Sequence, residues 1–511
     1  MGGGRARRAV TRFALAAIVV ASLVVALAAP AGAAAAAAGG GFMAGAAVQD
    51  VTPPVAGTAA AAAADARFQP NAATLCPAAL FGDHGRFALQ EPFKDLNGDN
   101  QWDAGTDLSN GPDGKTPDPF CDANANGRWD GIYADNGRGP ANGVHDAIEA
   151  RAVAISDRHD KPVVYASVAA IGLFDYYTEL ARADLKNTYG VDADLVVSAN
   201  HNESSPDTIG LYGALQTPLG VGVRSGIDEA YMRFLADRVA HAAADAVHSL
   251  QPASLYANQV QGPLPDGTQG SHYPLLTGMS QRISDQFPTT VALPHDDRIA
   301  AVDPNMGVLQ ARKRDGTPIF TVMSEAAHNQ EMGNSGLGLS GDWPGAFQRA
   351  FDATHPGVAV FLVGDNGSIE DPQTDPAVIP NGSENHTNQA TQFIQAQATG
   401  ARFAQIAAGA SASATKLDPG PVKLTRKQFC VALENNGFVA LAAVDVFGLR
   451  QGYVCDPSGN PVAAIPNGSI VPTVSTQFRT FVSYADIGPD LQLIDNPGES
   501  FPALMLGSPF G

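Results

Sequence analysis

Apolar residues alternate between two textures along most of this chain. Short continuous runs suit buried strands, and longer stretches with apolar positions three and four residues apart suit helices. The run Phe42–Asp50, closed by Thr52-Pro-Pro54, predicts a strand and a proline-enforced turn. A buried strand is expected within Lys161–Asp175, a helix over Tyr176–Lys186 and a strand over Leu195–Ala199. A long helix over Ser225–Leu250 gathers Ile227, Tyr231, Phe234, Leu235 and Val239 on one face. Beyond it the pattern predicts strands at Ile299–Gln310, Ile319–Ser324 and Val358–Val363, and helices at Pro344–Ala353 and about His386–Ala408. Two more strands are expected at Phe429–Leu433 and Phe438–Val446. This succession predicts an α/β fold, a layered mixed sheet with flanking helices and ligand-bearing loops at strand ends.

The pattern breaks over residues 67–142, rich in Asp, Asn, Gly and Pro, which read as an irregular insertion. Within it Asp95-Leu-Asn97-Gly-Asp99-Asn-Gln-Trp-Asp103 recurs 27 positions later as Asp122-Ala-Asn124-Ala-Asn126-Gly-Arg-Trp-Asp130. Oxygen side chains at the first, third, fifth and ninth positions of a tight loop are what a calcium ion requires. The Glu of a standard EF-hand loop is replaced by Thr106 and Tyr133, and no amphipathic helices flank the loops. Calcium as a structural clip and metal-free Asx-turns with a buried Trp in each repeat are both open readings.

Composition narrows the classes. With 511 residues and 45% hydrophobic content the chain can bury a large core. Arg5, Arg7, Arg8 and Arg12, an apolar run and Ala31-Gly-Ala33 have the three parts of a secretory signal, expected to be cleaved after Ala33. Residues 34–511 are then read as a single catalytic domain carrying the insertion, secreted and without a membrane-spanning segment. Losing those four arginines and no acids takes the formal charge from −20 to −24. So acidic a surface argues against nucleic acid as a partner. Cys76, Cys121, Cys430 and Cys455 are even in number in an exported chain, and proximity favours the pairs Cys76–Cys121 and Cys430–Cys455.

Candidate chemistry sits where apolar strands open into polar loops. Val196-Val-Ser-Ala-Asn-His201-Asn-Glu203-Ser-Ser-Pro206 delivers a His-x-Glu, and Phe320–Glu325 leads to Ala-Ala-His328, followed by Ser340-Gly-Asp342-Trp-Pro-Gly345. Carboxyl ends of strands are where open α/β sheets bind substrates. Two strand-end histidines meeting over one sheet edge would supply neutral imidazoles to zinc. A third opening, Phe361-Leu-Val-Gly-Asp365-Asn-Gly-Ser368-Ile-Glu370, is equally readable as an ordinary strand exit.

In order along the chain these segments resemble the neutral/alkaline non-lysosomal ceramidase family. Asp50-Val-Thr-Pro-Pro54 resembles its D-[IV]-T-P-P segment and His145–Ala152 its Ala-Arg-Ala block. Ser198–Pro206 resembles the signature S-A-T-H-T-H-S-G-P, Ala326–His328 with Ser340–Gly345 the second-histidine block, Gly364–Gly367 the G-x-x-G-[DN] turn, and Pro497-Gly-Glu499 a late P-G-E. The resemblance implies a zinc amidohydrolase acting on a small amphiphilic or N-acyl substrate, with His201, His328 and Glu499 as zinc ligands; Glu203 and Asp342 are the candidate catalytic groups of this chain. Three departures accompany it. Glu203 replaces the second signature histidine, as a general base, a further ligand or a mark of a different substrate. Glu370 stands where the family has a serine, and no tyrosine follows Tyr484 to act as the family's fourth ligand. No C-terminal immunoglobulin-like domain is expected after Glu499. A zinc esterase or lactonase, and an exported binding or wall-associated protein that kept the fold without catalysis, are the competing readings.

Overall fold

The computed structural model describes residues 41–82, 85–98, 100–104, 117–134, 139–214, 224–261, 305–332, 338–366, 389–448, 452–465 and 477–498. The signal-like segment, Asp99, Thr106, Ser368, Glu370 and Glu499 lie outside these residues.

The main strands are β1 (Phe42–Asp50), β2 (Glu149–Ser156), β3 (Val163–Val168), β4 (Asp194–Ala199), β5 (Gln251–Gln261), β6 (Asn305–Arg312), β7 (Pro318–Glu325) and β8 (Val358–Val363). Their hydrogen-bonded order is β8-β7-β6-β5-β1-β2-β3-β4, with Thr415–Lys416 paired to β5. Helices are α1 (Ala59–Phe68), α2 (Asp175–Asn187), α3 (Glu229–His248), α4 (Asp342–Asp352), α5 (Gln389–Ala412) and α6 (Asn436–Ala443).

The chain runs through one arrangement twice. β1, β2 and β3 are antiparallel neighbours, α2 crosses over to β4 parallel to β3, and α3 follows. β5, β6 and β7 repeat the antiparallel run, α4 crosses over to β8 parallel to β7, and α5 follows. The halves join where β1 pairs antiparallel with β5, and β8 of one half packs against β2, β3 and β4 of the other. The result is two facing sheets with helices on both outer surfaces.

Strand periodicity sorts the side chains between layers. Val153, Ile155, Val163 and Tyr165 share the inter-sheet core with Phe320, Val322 and Val360. The alternate residues Ala150, Ala152, Ala154, Val164 and Ala166 face the α2/α3 layer, and Met323, Ala359 and Phe361 the α4/α5 layer. Small residues on the helix side let α3 come close. At Gly45 of β1 a Cβ would stand 2.2 Å from the Ala246 carbonyl oxygen, so only glycine fits. Asp228 caps α3 by accepting from the Tyr231 amide.

A smaller antiparallel sheet of β9 (Val422–Ala432), β10 (Gln477–Ile487) and β11 (Leu491–Asp495) adds Leu424, Ala485, Ile487, Leu491 and Leu493 to the inter-sheet core. The expected disulfides form: Cys76–Cys121 staples the insertion and Cys430–Cys455 ties β9 to a short hairpin. Among the described residues no helix is long and apolar enough to cross a membrane.

One element is corrected. The strand expected over Phe438–Val446 is the helix α6, because the Asn435 side chain accepts from the Gly437 and Phe438 amides and Ala440, Ala442 and Ala443 favour helix. An apolar run of that length does not distinguish the two by periodicity.

Candidate metal centre

The ends of β3, β4 and β7 contribute to one site. β3 and β4 run parallel, as do β7 and β8, so each half presents a pair of carboxyl termini side by side. The loops after β4 and β7 meet in a parallel bridge between Asn202 and Asn329, and the Glu203 amide donates to the Asn329 carbonyl at 3.2 Å. That contact brings His201 and His328 together, their rings edge to face with centroids 4.4 Å apart. Glu203 Oε1 lies 3.7 Å from His201 Nε2. His201, Glu203 and His328 are the one group among the described residues in which three His, Cys, Asp or Glu ligand atoms all lie within 4.8 Å of one another.

Chemistry favours a cation there. His201 Nδ1 is 3.0 Å from the Ile171 carbonyl oxygen. A carbonyl only accepts, so Nδ1 carries the hydrogen and Nε2 turns its lone pair toward Glu203. Both histidines are 9% exposed, where neutral imidazoles and one carboxylate suit a divalent ion better than water does. The backbone at His201 is left-handed, φ 61°, and so is that at Asp342, φ 52°. Such conformations in non-glycine residues persist only when the surroundings impose them, and they gather at functional sites.

Asp342 begins α4 with its carboxylate directed at backbone. Oδ1 accepts from the Trp343 amide at 2.5 Å, and Oδ2 from the Met332 amide at 3.1 Å and from Ser204 Oγ at 3.5 Å. Burial lifts this carboxyl from 3.8 to about 7, against those two amides, and the charges of Asp146 and Glu203 push the same way. A carboxyl whose pKa is higher folded than unfolded contributes its stability in full below 3.8, and that contribution is lost as pH rises through about 7. Metal-free protein is therefore expected to lose on the order of 4 kcal/mol across that window through this group. Urea unfolding at stepped pH should show a steeper loss in the wild type than in Asp342→Asn, because Glu91 and the other raised carboxyls contribute equally to both. Parallel profiles for the two proteins would rule the assignment out.

The insertion reaches the same loops from outside. Tyr133 accepts from the Asp207 amide at 2.9 Å, and Ala134 bridges Pro206, just past Glu203. Gly143–Val144 pairs with Gly338–Leu339, and Asp146 accepts from Ser340 Oγ and from the Gly341 amide. Arg151 of the Ala-Arg-Ala block is structural, donating to Glu149, Asp352 and the Ala359 carbonyl.

The two Asp/Asn loops pair about a local two-fold, with Phe93 bridging Phe120 and Trp102 stacked on Trp129 at 5.0 Å. Asp95 accepts from the amides of Asn97, Gly98 and Asn100, and Asp122 from those of Asn126 and Gly127. The Asn97 side chain donates to Asp103, and those of Asn124 and Asn126 to Asp130. The repeat also starts earlier than its Asp: Glu91-Pro-Phe and Asp118-Pro-Phe stand at the same spacing of 27. Each extra carboxylate serves the opposite loop, Glu91 accepting from the Ala123 and Asp130 amides and Asp118 from Leu96 and Asp103. Burial, then the charge of Asp130, raises Glu91 to about 8.

No family model matches the chain, and no curated protein matches it in sequence. Structure is more informative. Neutral ceramidase from Pseudomonas aeruginosa superposes with a TM-score of 0.53 at 15% identity, covering 90% of this chain and 62% of that one. The chain has the neutral ceramidase fold. A ceramidase complexed with C2 gives a TM-score of 0.50 at 16% identity, covering 89% of this chain and 63% of the other. The chain thus spans a little under two thirds of each ceramidase chain.

Proposed function

We propose that this chain is an exported zinc-dependent hydrolase of an N-acyl amide bond in a small amphiphile. The observation that carries the reading is the convergence of two imidazoles and one carboxylate, His201, His328 and Glu203, from loops after strands of different halves. Two histidines and a glutamate with a position left for water or substrate are a sound catalytic zinc set. The neutral ceramidase fold supports the amide as the bond cleaved, and two disulfides support export. Glu203 supplies the carboxylate of the set from the described residues; Glu499, the carboxylate expected from the sequence, lies outside them.

Bound there, zinc would polarise the acyl carbonyl and acidify a water. The chain's own groups do the rest. The Ile171 carbonyl fixes the tautomer of His201, and the burial of both histidines limits competing water. The Asp342 carboxyl, raised by burial to about 7, accepts from Ser204 Oγ and the Met332 amide at Oδ2 and can exchange a proton near neutral pH. Calcium in the paired Asp/Asn loops would clip the insertion onto the loop that carries His201 and Glu203.

Elemental analysis with an acyl-substrate panel tests the reading. The expected result is about one zinc per chain and hydrolysis of N-acyl sphingoid or other N-acyl amines that stops on chelation. Turnover of esters or lactones alone moves the assignment to an esterase. Calcium without zinc, or no metal, leaves the exported binding protein.

A further inference from the structure

Each histidine of the site is followed in sequence by an asparagine that reaches the other loop. Asn202 and Asn329 are both fully buried. The Asn329 side-chain amide donates to the Asn200 carbonyl, just before His201, and the Asn329 backbone carbonyl accepts from the Glu203 amide, just after it. His201 is therefore bracketed on both sides by one residue of the His328 loop. Asn202 uses both ends of its carboxamide. Oδ1 accepts from the Ser204 amide at 2.8 Å, closing the turn that carries Glu203, and Nδ2 donates to the Ser340 carbonyl at 2.8 Å, on the segment leading to Asp342.

His201 occupies a left-handed backbone conformation that a histidine does not adopt without support, φ 61°. The bracketing bonds from Asn329 supply that support, and the turn closed by Asn202 continues it through Glu203. We infer that Asn202 and Asn329 are a positioning pair that holds His201 in this conformation and sets its register against His328 and Glu203. The assignment rests on the reading of these three residues as a metal site. Neither asparagine is a ligand; each acts through the backbone of one. At 202 a carboxamide is required because it donates to Ser340 and accepts from Ser204 at once, and at 329 a donor is required, since an aspartate there would set a buried negative charge against the Asn200 carbonyl.

The test uses the full chain with Asn329→Asp and Asn202→Ser. The serine keeps an acceptor for the Ser204 amide but is too short to reach Ser340. Zinc affinity is measured by chelator competition, and geometry by the visible spectrum of the cobalt-substituted protein, with circular dichroism of the metal-free chains as the check on folding. The expected result is folded variants that bind zinc about 10–100-fold more weakly, the loss typical of outer-shell partners, with an altered cobalt spectrum. Folded variants with wild-type affinity and spectrum would overturn the assignment, as would failure of both variants to fold, which would make the pair a requirement of the fold. A wild-type chain that takes up no divalent metal would instead remove the hydrolase reading on which the assignment rests.

Discussion

His201→Ala is expected to abolish zinc retention and N-acyl hydrolysis together while leaving the fold in place. His201 is the residue on which the site's contacts converge: Nδ1 on Ile171, Nε2 toward Glu203, the ring against His328. As a direct ligand in the proposed zinc site, His201 should cost more to remove than the roughly 10–100-fold that outer-shell partners cost, so the variant should retain no stoichiometric zinc after dialysis. Metal-free stability should fall by only about 0.5–1.5 kcal/mol, the worth of the lost Nδ1 hydrogen bond to the Ile171 carbonyl. His201→Gly sharpens the test. It loses the same ligand but relieves the left-handed backbone, so its metal-free form should be more stable than His201→Ala by about 1 kcal/mol. Equal zinc content in wild type and His201→Ala would remove His201 from the metal site.

Much of this arrangement was legible from residues whose burial is uniform along a run. β8 is apolar throughout and β4 and β7 are apolar over most of their length, and their sequence limits agree with the structure to within a residue or two. β5 was not, because Gln251–Gln261 mixes polar and apolar residues along a strand paired on both sides. β10 and β11 were hidden likewise: they read as scattered apolar residues, and only their pairing shows which face is covered. The doubled strand order is invisible in sequence because it is kept by topology and not by residue identity. His201 and His328 were legible because each is a polar residue at the end of a buried strand. The asparagine clasp was not, since its meaning depends on loops meeting that lie far apart in sequence. Glu203 is the clearest change. Read from the family pattern it is a departure from histidine, whereas in three dimensions it is the carboxylate beside both imidazoles.

Trp343→Ala is expected to be the most destabilising single substitution near the site. The ring is fully buried, stacked on Phe403 at 4.7 Å and edge-on to Phe361 at 4.9 Å, at the centre of the α4/α5 layer. Emptying a tryptophan site in a packed core costs about 3–5 kcal/mol. A second loss is specific to this place, because Trp343 Nε1 donates to the His328 carbonyl at 2.8 Å and so ties the core to the loop that carries His328. Trp343→Phe separates the two contributions. It keeps most of the ring contact and loses the hydrogen bond to the His328 carbonyl, worth about 0.5–1.5 kcal/mol. Denaturant unfolding should therefore rank wild type above Trp343→Phe above Trp343→Ala. Zinc affinity should already fall in Trp343→Phe, because the loop that presents His328 has lost its anchor. If Trp343→Phe bound zinc as tightly as the wild type, the indole would be serving the core alone, and the placement of His328 would depend on the Asn202–Asn329 bridge.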